Sequence, residues 1–163
     1  MSTLAAELPK EMTSLQLRPI FIFRINVAKP FVIGQTTSAD RRVGEITGGT
    51  FEGERLSGKI LSGGSDWQNV RRDGSWVLDV RIVLETDDQH LIGMTYKGIR
   101  HGPQPVLDRI ARGENVSPAD YYLRVAPFFE TASEKYGWLN NVVAVGTGHR
   151  LPSGPIYQVF EVL

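Results

Sequence analysis

The chain has 163 residues, no cysteine, and 18 acidic and 18 basic side chains, so its formal net charge is zero. This length fits one domain with a sizeable core. A neutral chain has no global field to attract nucleic acid or an anionic membrane, and we expect it to bind neither. The lack of cysteine excludes disulfides, thiolate catalysis and cysteine-bound metals.

An N-terminal arm, residues 1–16, precedes the main domain. Apolar residues at four-residue spacing favour a loose helix here, although Pro9 interrupts it. The arm has no basic start and contains Glu7, so it does not resemble a secretory signal, and no apolar run reaches the roughly 20 residues that span a bilayer. We therefore predict a cytoplasmic protein whose single domain covers residues 17–163.

Strands and turns dominate from residue 17 onwards. The strand-like segments are rich in β-branched and aromatic residues and are bounded by Gly, Pro, Asp or Asn. A helix is predicted over residues 105–113, with proline near its start and glycine after its end, and a capping box at residues 131–134 predicts one further helical turn. The predicted strands are 20–27, 42–47, 50–51, 55–61, 76–85, 90–96, 121–125, 141–147 and 156–163.

Two glycine pairs, Gly48-Gly49 and Gly63-Gly64, allow sharp turns of the backbone. The second pair is followed closely by Asp66 and Trp67, an acid next to an indole. We interpret this segment as the mouth of a binding site.

A series of motifs runs in order through the domain. The motifs are GGTFEG at 48–53, LSGK at 56–59, GGSDWQ at 63–68, RDG at 72–74, DVR at 79–81, ETDD at 85–88, FET at 129–131 and KYGWLN at 135–140. This series closely resembles the DUF3237 family, also called UPF0311. The resemblance implies a compact all-β, barrel-like domain in a family without a general assigned function. Together with the strand pattern it predicts an antiparallel β-barrel of about 8–10 strands with one or two short helices.

The strand over residues 76–85 leaves two interpretations open. Its even-numbered residues are all apolar, whereas its odd-numbered residues include Asp79, Arg81 and Glu85. If hydrocarbon fills the barrel, the charged row is solvated. If the lumen binds a polar ligand, the charged row faces inward, and the apolar row needs a cover such as a second copy in a homodimer.

We favour the second interpretation, because aromatic walls with a few convergent polar groups are typical of a small-molecule pocket. Carboxylates and tyrosines serve as acids and bases, and arginine stabilises an enolate or carboxylate. The predicted catalytic residues are Asp66, Arg81, Glu85 and Tyr96, and the predicted ligand-binding residues are Trp67, Asp79, Tyr122, Arg124, Tyr136, Trp138 and Asn140.

Each of these residues also has a structural interpretation. Asp66 can cap its turn, Arg81 and Glu85 can form an ion pair, and the two aromatic residues after position 135 can close the barrel end. For Asn140, satisfying the backbone is as good an interpretation as contacting a ligand.

The function these residues predict is that of a cofactor-independent enzyme. It would do acid/base chemistry of the isomerase, lyase or cyclase type on a carbonyl-containing or polyhydroxylated metabolite. The alternatives are a non-catalytic ligand-binding barrel and a structural or oligomeric module. The three histidines are far apart and no nucleotide-binding or hydrolase motif is present, so we expect no metal and no cofactor.

Overall fold

The computed structural model describes residues 3–163, which form ten strands and two α-helices. The helices are α1 (Leu4–Glu7) and α2 (Gln104–Ala111), and 3₁₀ turns cover Lys10–Met12 and Gly137–Asn141. The strands are β1 (Leu17–Val27), β2 (Phe31–Gln35), β3 (Asp40–Glu52), β4 (Gly58–Ile60), β5 (Gly64–Val70), β6 (Trp76–Thr86), β7 (Leu91–His101), β8 (Tyr122–Glu130), β9 (Ala144–Leu151) and β10 (Gly154–Val162).

The strands close into an antiparallel barrel. β1 and β2 both pair with β3, and β4 and β5 both lie between β3 and β6, so each of these two pairs acts as one interrupted strand. From β6 to β10 every strand pairs with the next in the chain, and β10 returns to β1. The ten strands thus fill eight positions, which confirms the predicted antiparallel barrel with short helices.

One predicted turn lies inside a long strand. Gly48 and Gly49 belong to β3, where the pairing register with β1 shifts. Gly49 has a φ of +155°, and a Cβ there would lie 2.1 Å from the backbone oxygen of Arg24. Glycine is therefore required so that β1 and β3 can pack closely.

The apolar row of β6 faces the interior. Leu78, Val80, Ile82 and Leu84 are buried, whereas Arg81 is exposed. The middle of the barrel is filled by aliphatic and aromatic side chains, among which Phe23 stacks on Tyr157 and contacts Tyr96 at an angle. The expectation that the charged row of this strand lines the lumen is wrong, because the interior closes over apolar side chains and leaves charged ones in water.

The two ends of the barrel differ. We call the end where β6, β8 and β10 begin the upper end and the opposite one the lower end. The lower end is closed by the segment between β8 and β9, where Tyr136 and Leu139 are buried. The side chain of Trp138 lies under the guanidinium of Arg55, with 3.9 Å between guanidinium carbon and ring centre. The lower end is therefore closed by side chains of the segment that joins β8 to β9.

A buried carboxylate at the lower end supports the fold. Glu161 is 3% exposed and accepts hydrogen bonds from Arg18 and from Arg55, the latter at 2.8 Å. Burial opposes ionisation, yet the two arginines outweigh it and hold the pKa of Glu161 below its usual value of 4.5. The ionised form is thus the one that the fold favours.

Replacing Glu161 with Gln is expected to lower the free energy of unfolding at pH 7 by about 1–3 kcal/mol, because both ion pairs are lost while their partly exposed arginines stay hydrated. A lowered pKa gives stability that is present above the usual pKa and disappears as pH falls below it. The difference between Glu161→Gln and wild type, measured by urea unfolding, should shrink in acid. An equal difference at pH 3 and pH 7 would contradict the assignment.

Candidate functional site

A cavity of about 420 Å³ opens at the upper end of the barrel. Its rim is formed by residues 27–30, from the end of β1 to the start of β2, and by residues 152–155, from the turn after β9 into the first residues of β10. Its walls mix polar and apolar side chains, as in small-molecule sites. The side chains lining it from the strands are Asp66, Gln68, Leu78, Arg100, Leu123, Arg150 and Tyr157.

Asp66 is the carboxyl group of this cavity. It lies on β5, is 5% exposed, and its Oδ2 accepts a hydrogen bond of 2.6 Å from Gln68 Nε2. Its Oδ1 has no partner in hydrogen-bond geometry among residues 3–163, although the nearby Asp79 backbone favours the carboxylate. Burial raises the pKa of Asp66 to about 6, against the opposing effects of Gln68 and Arg100. This carboxyl can therefore take up and release a proton near neutral pH.

Two arginines face the same cavity. Arg100 projects inward from β7 and Arg150 from β9, and neither forms an ion pair with a carboxylate of the described chain. Burial lowers the pKa of Arg100, and the charge of Arg150 lowers it further. The guanidinium carbon of Arg100 lies 4.5 Å from the centre of the Trp76 ring. The site thus holds two cations beside a single carboxyl.

The floor of the cavity is aromatic. Tyr157 stacks on Phe23 with 4.7 Å between ring centres, and Tyr96 lies 5.8 Å from Tyr157. Burial raises the pKa of both tyrosines above the usual value. At Tyr96 the neighbouring Tyr157 and then Asp66 add to this effect, and at Tyr157 the charge of Asp66 adds to it. Both remain neutral phenols at physiological pH, and they can therefore donate hydrogen bonds but not act as bases.

Two of the predicted site residues lie inside the barrel. Asp66 lines the upper cavity, and Tyr96 is buried beside Tyr157. The segment around Asp66 is, however, the strand β5 and not a turn. Gly63 makes the turn that precedes β5, with a φ of +98°. Pairing with β3 and β6 holds the residues after it in an extended conformation.

The other predicted residues of β5 and β6 lie on the outer face. Trp67 is 44% exposed, Arg81 is exposed, and Glu85 pairs with Lys59 at 3.0 Å. Asp79 also points outward from β6 and is only partly buried. The structure therefore does not bring these side chains into the cavity, because alternation along each strand sends them to the opposite face from Asp66 or Leu78.

Tyr122 and Arg124 also lie on the outside of the barrel, on β8. The guanidinium carbon of Arg124 sits 4.9 Å from the centre of the Tyr122 ring, and this ring stacks on His101 at 5.0 Å. Both residues line an apolar outer groove of about 640 Å³. Their contacts are separate from the upper cavity.

Tyr136, Trp138 and Asn140 all lie at the lower end. The Tyr136 hydroxyl donates a hydrogen bond to Asp88 Oδ1 at 2.9 Å. Asn140 bonds both backbone groups of Thr131, accepting at 2.8 Å and donating at 2.9 Å. These contacts match the structural interpretations, in which the aromatic residues close the barrel and Asn140 satisfies the backbone.

Replacing Arg81 with Gln is expected to leave the fold and the site intact. The side chain is exposed on the outer face of β6 and has no ion pair within the described chain. Surface substitutions of this kind change the free energy of unfolding by less than about 0.5 kcal/mol. Thermal unfolding and ligand binding by Arg81→Gln should match wild type, and a large loss in either would show that the outer face contributes to the site.

Sequence reasoning missed Gln68, Arg100, Arg150 and Tyr157. Arg100 shares the even-numbered face of β7 with the buried Met94 and Tyr96, and Tyr157 shares the face of Val159 on β10. Extending the alternation of buried residues along the whole of each strand would have identified Arg100 and Tyr157 as inward-facing. No sequence signal shows that β7, β9 and β10 meet around β5, because this depends on barrel closure.

Two further observations concern the described residues 3–163. No three His, Asp or Glu side chains there come together as a metal-binding group. No helix in that part of the chain has the length and apolar character needed to cross a membrane.

The fold and the cavity together define the class of this protein as a small up-and-down β-barrel with a polar cavity at one end. The chain belongs to the DUF3237 family: the family model, described as a protein of unknown function, matches residues 15–162. This confirms the family resemblance found in the sequence motifs.

Individual relatives cover most of the chain. A UPF0311 protein of Clostridium acetobutylicum is 37% identical over 144 residues, which are 88% of this chain and 91% of the relative. A crystal structure of a β-barrel-like protein from Acinetobacter baumannii has a TM-score of 0.81 and 43% identity, covering 92% of this chain and 97% of that one. A relative named hydroalkoxylation enzyme phnH, from Penicillium herquei, is 29% identical over 143 residues, 83% of this chain and 80% of the relative.

Proposed function

We propose that this protein is an enzyme that moves a proton on a small substrate held in the upper cavity, with Asp66 as the acid and base. One observation carries the proposal. Asp66 is a buried carboxyl with a pKa of about 6, its Oδ1 has no partner in hydrogen-bond geometry among residues 3–163, and it lines a cavity of about 420 Å³. Perturbed carboxyl groups in clefts are typical of catalytic sites.

The raised pKa of Asp66 suits both directions of proton transfer. Near neutral pH the acid and the carboxylate are both populated, so the same side chain can give a proton at one atom and take it at another. Arg100 and Arg150 can stabilise negative charge that develops on a substrate oxygen. Isomerisation, elimination and cyclisation beside a carbonyl need only these proton movements, so the proposed chemistry is cofactor-independent.

The fungal relative supports a more specific reaction. Hydroalkoxylation adds an O–H group across a carbon–carbon double bond: the π bond breaks, a C–O bond forms, and a proton adds to the other carbon. Neutral Asp66 would protonate the alkene carbon, and the resulting carboxylate would accept the proton of the adding hydroxyl. The carboxyl group is regenerated and nothing is oxidised or reduced. We propose an addition of this type, or its reverse, for the present site.

The test is to incubate the protein with alcohols and phenols that carry an alkene side chain, in deuterated water. The expected product is an isomer of the substrate that carries one carbon-bound deuterium in place of the hydroxyl hydrogen. Asp66→Asn should form none, while Arg81→Gln, an outer-face control, should match wild type.

Three outcomes would count against the proposal. Equal turnover by Asp66→Asn would remove this residue from the chemistry. Compounds that bind but are recovered unchanged would favour a non-catalytic ligand-binding barrel. Absence of both binding and turnover across the panel would exclude this substrate class.

A further inference from the structure

The upper cavity carries an excess of positive charge. Arg100 and Arg150 line it from the strands and Lys29 lines its rim, whereas Asp66 is the sole carboxyl among its lining residues within the described chain. The nearby cation Arg42 is already paired with Asp40 at 3.0 Å. Even when Asp66 is ionised, its one negative charge balances only one of the two arginines.

Some N–H donors of Arg100 and Arg150 also have no hydrogen-bond acceptor within the described chain. The Nε of Arg100 is buried and has no hydrogen-bond partner among residues 3–163. Arg150 donates from Nη1 to the backbone oxygen of Leu151, which leaves its other N–H groups available. Buried guanidinium groups are normally paired, since an unpaired buried charge costs free energy. Arg100 and Arg150 are partly buried and face one cavity without a paired carboxylate in the described chain, which indicates an anionic ligand.

The remaining walls indicate what carries the negative charge. Leu78, Leu123 and Pro155 give the cavity an apolar side, and Tyr157 gives it an aromatic floor. A planar ring fits between such walls, and a negatively charged oxygen on that ring can accept hydrogen bonds from the guanidinium groups of Arg100 and Arg150. A sugar, with hydroxyls on all sides, would leave polar groups unpaired there.

We propose that the cavity binds an acidic phenol or enol as its oxyanion, with Arg100 and Arg150 holding the charged oxygen. This inference rests on the proposed function for placing the substrate in this cavity. It narrows the substrate class to ring-borne hydroxyl groups that ionise near neutral pH. The arginines would also ease loss of the hydroxyl proton to solvent, and after protonating the alkene carbon Asp66 would recover its own proton from solvent, so that the addition balances.

The probe is para-nitrophenol, because its coloured phenolate reports its own protonation. Bound to wild type, its pKa should fall by about one unit or more, equal to about tenfold tighter binding of the phenolate than of the phenol. Nitrobenzene, the same ring without the hydroxyl, should bind more weakly. Arg100→Gln and Arg150→Gln should lose the pKa shift, and Arg150→Lys should restore part of it.

The controls separate a charge effect from misfolding. Arg81→Gln removes an arginine from the outer face and should retain the full shift, and circular dichroism checks that every variant is folded. An unchanged or raised probe pKa, equal binding of nitrobenzene, or failure of the probe to bind would overturn the inference. Tighter binding of benzoate than of the phenolate would assign the site to carboxylates instead.

The same set of proteins distinguishes the two proposals. Asp66→Asn keeps both arginines, so it should bind the probe with the pKa shift intact although it lacks turnover. Anion binding without turnover in wild type would leave the anion site standing and remove the enzymatic proposal. Turnover of neutral substrates by a protein that does not shift the probe's pKa would leave the enzymatic proposal standing and remove the anion site.

Discussion

Asp66→Asn is expected to lower turnover by about 10²- to 10⁴-fold, the range that a positioned acid or base contributes. Asparagine has nearly the same shape and can still accept the hydrogen bond that Gln68 donates at 2.6 Å. It cannot exchange a proton, so the loss reports chemistry and not collapse of the cavity. The measurement is the turnover number of both proteins on the first alkenyl phenol or alcohol that wild type converts.

The same substitution should stabilise the protein in neutral and alkaline solution. The folded pKa of Asp66 is raised from 3.8 to about 6, which means that the fold disfavours the carboxylate. Stability is thus fully present below the unfolded pKa and falls as pH rises to about 6. Two pKa units correspond to about 3 kcal/mol, so Asp66→Asn should exceed wild type by about 2–3 kcal/mol at pH 8 and match it near pH 3.

Urea unfolding at the two pH values checks this, with Asp120→Asn, at an exposed position, as the matched control. A control variant that gains as much stability at pH 8 would show that net charge, and not burial, is responsible. A loss of stability in Asp66→Asn at pH 8 would show that the carboxylate is the form the fold favours. The predicted pattern, less activity with more stability, is typical of a site that is strained for function.

Local patterns predicted the barrel well. Alternation in β6 and the proline and glycine that bound α2 gave these elements close to their observed limits. The strand β5 was missed because its sequence, with glycine, serine and aspartate at its start, has the composition of a turn. Pairing with β3 on one side and β6 on the other overrides that preference.

The site was harder to predict than the fold. The sequence of β6 allows either face to point inward, and only the filled interior decides between them. The cavity residues come from β5, β7, β9 and β10, and they meet because the barrel closes with a particular register. Asp66 was accessible to sequence reasoning through its motif, whereas Arg100 and Arg150 required long-range geometry.

Phe23→Ala is expected to lower the free energy of unfolding by about 3–5 kcal/mol, the range for removing a buried aromatic ring. Phe23 is 1% exposed on β1 and packs against Tyr157, the aromatic residue that lines the cavity. Its ring stacks on Tyr157 at 4.7 Å and contacts Tyr96 at 5.9 Å. Alanine would lose these contacts and leave a cavity in which no other atoms replace them.

The adjacent residue gives the matched control. Ile22 is 37% exposed on the opposite face of β1, so Ile22→Ala should cost about 1 kcal/mol or less. Because Tyr157 rests on Phe23, Phe23→Ala should also weaken binding of para-nitrophenol at a temperature where it is still folded, whereas Ile22→Ala should not. Equal losses of stability in the two variants would contradict the inward orientation of Phe23, on which the position of the cavity floor depends.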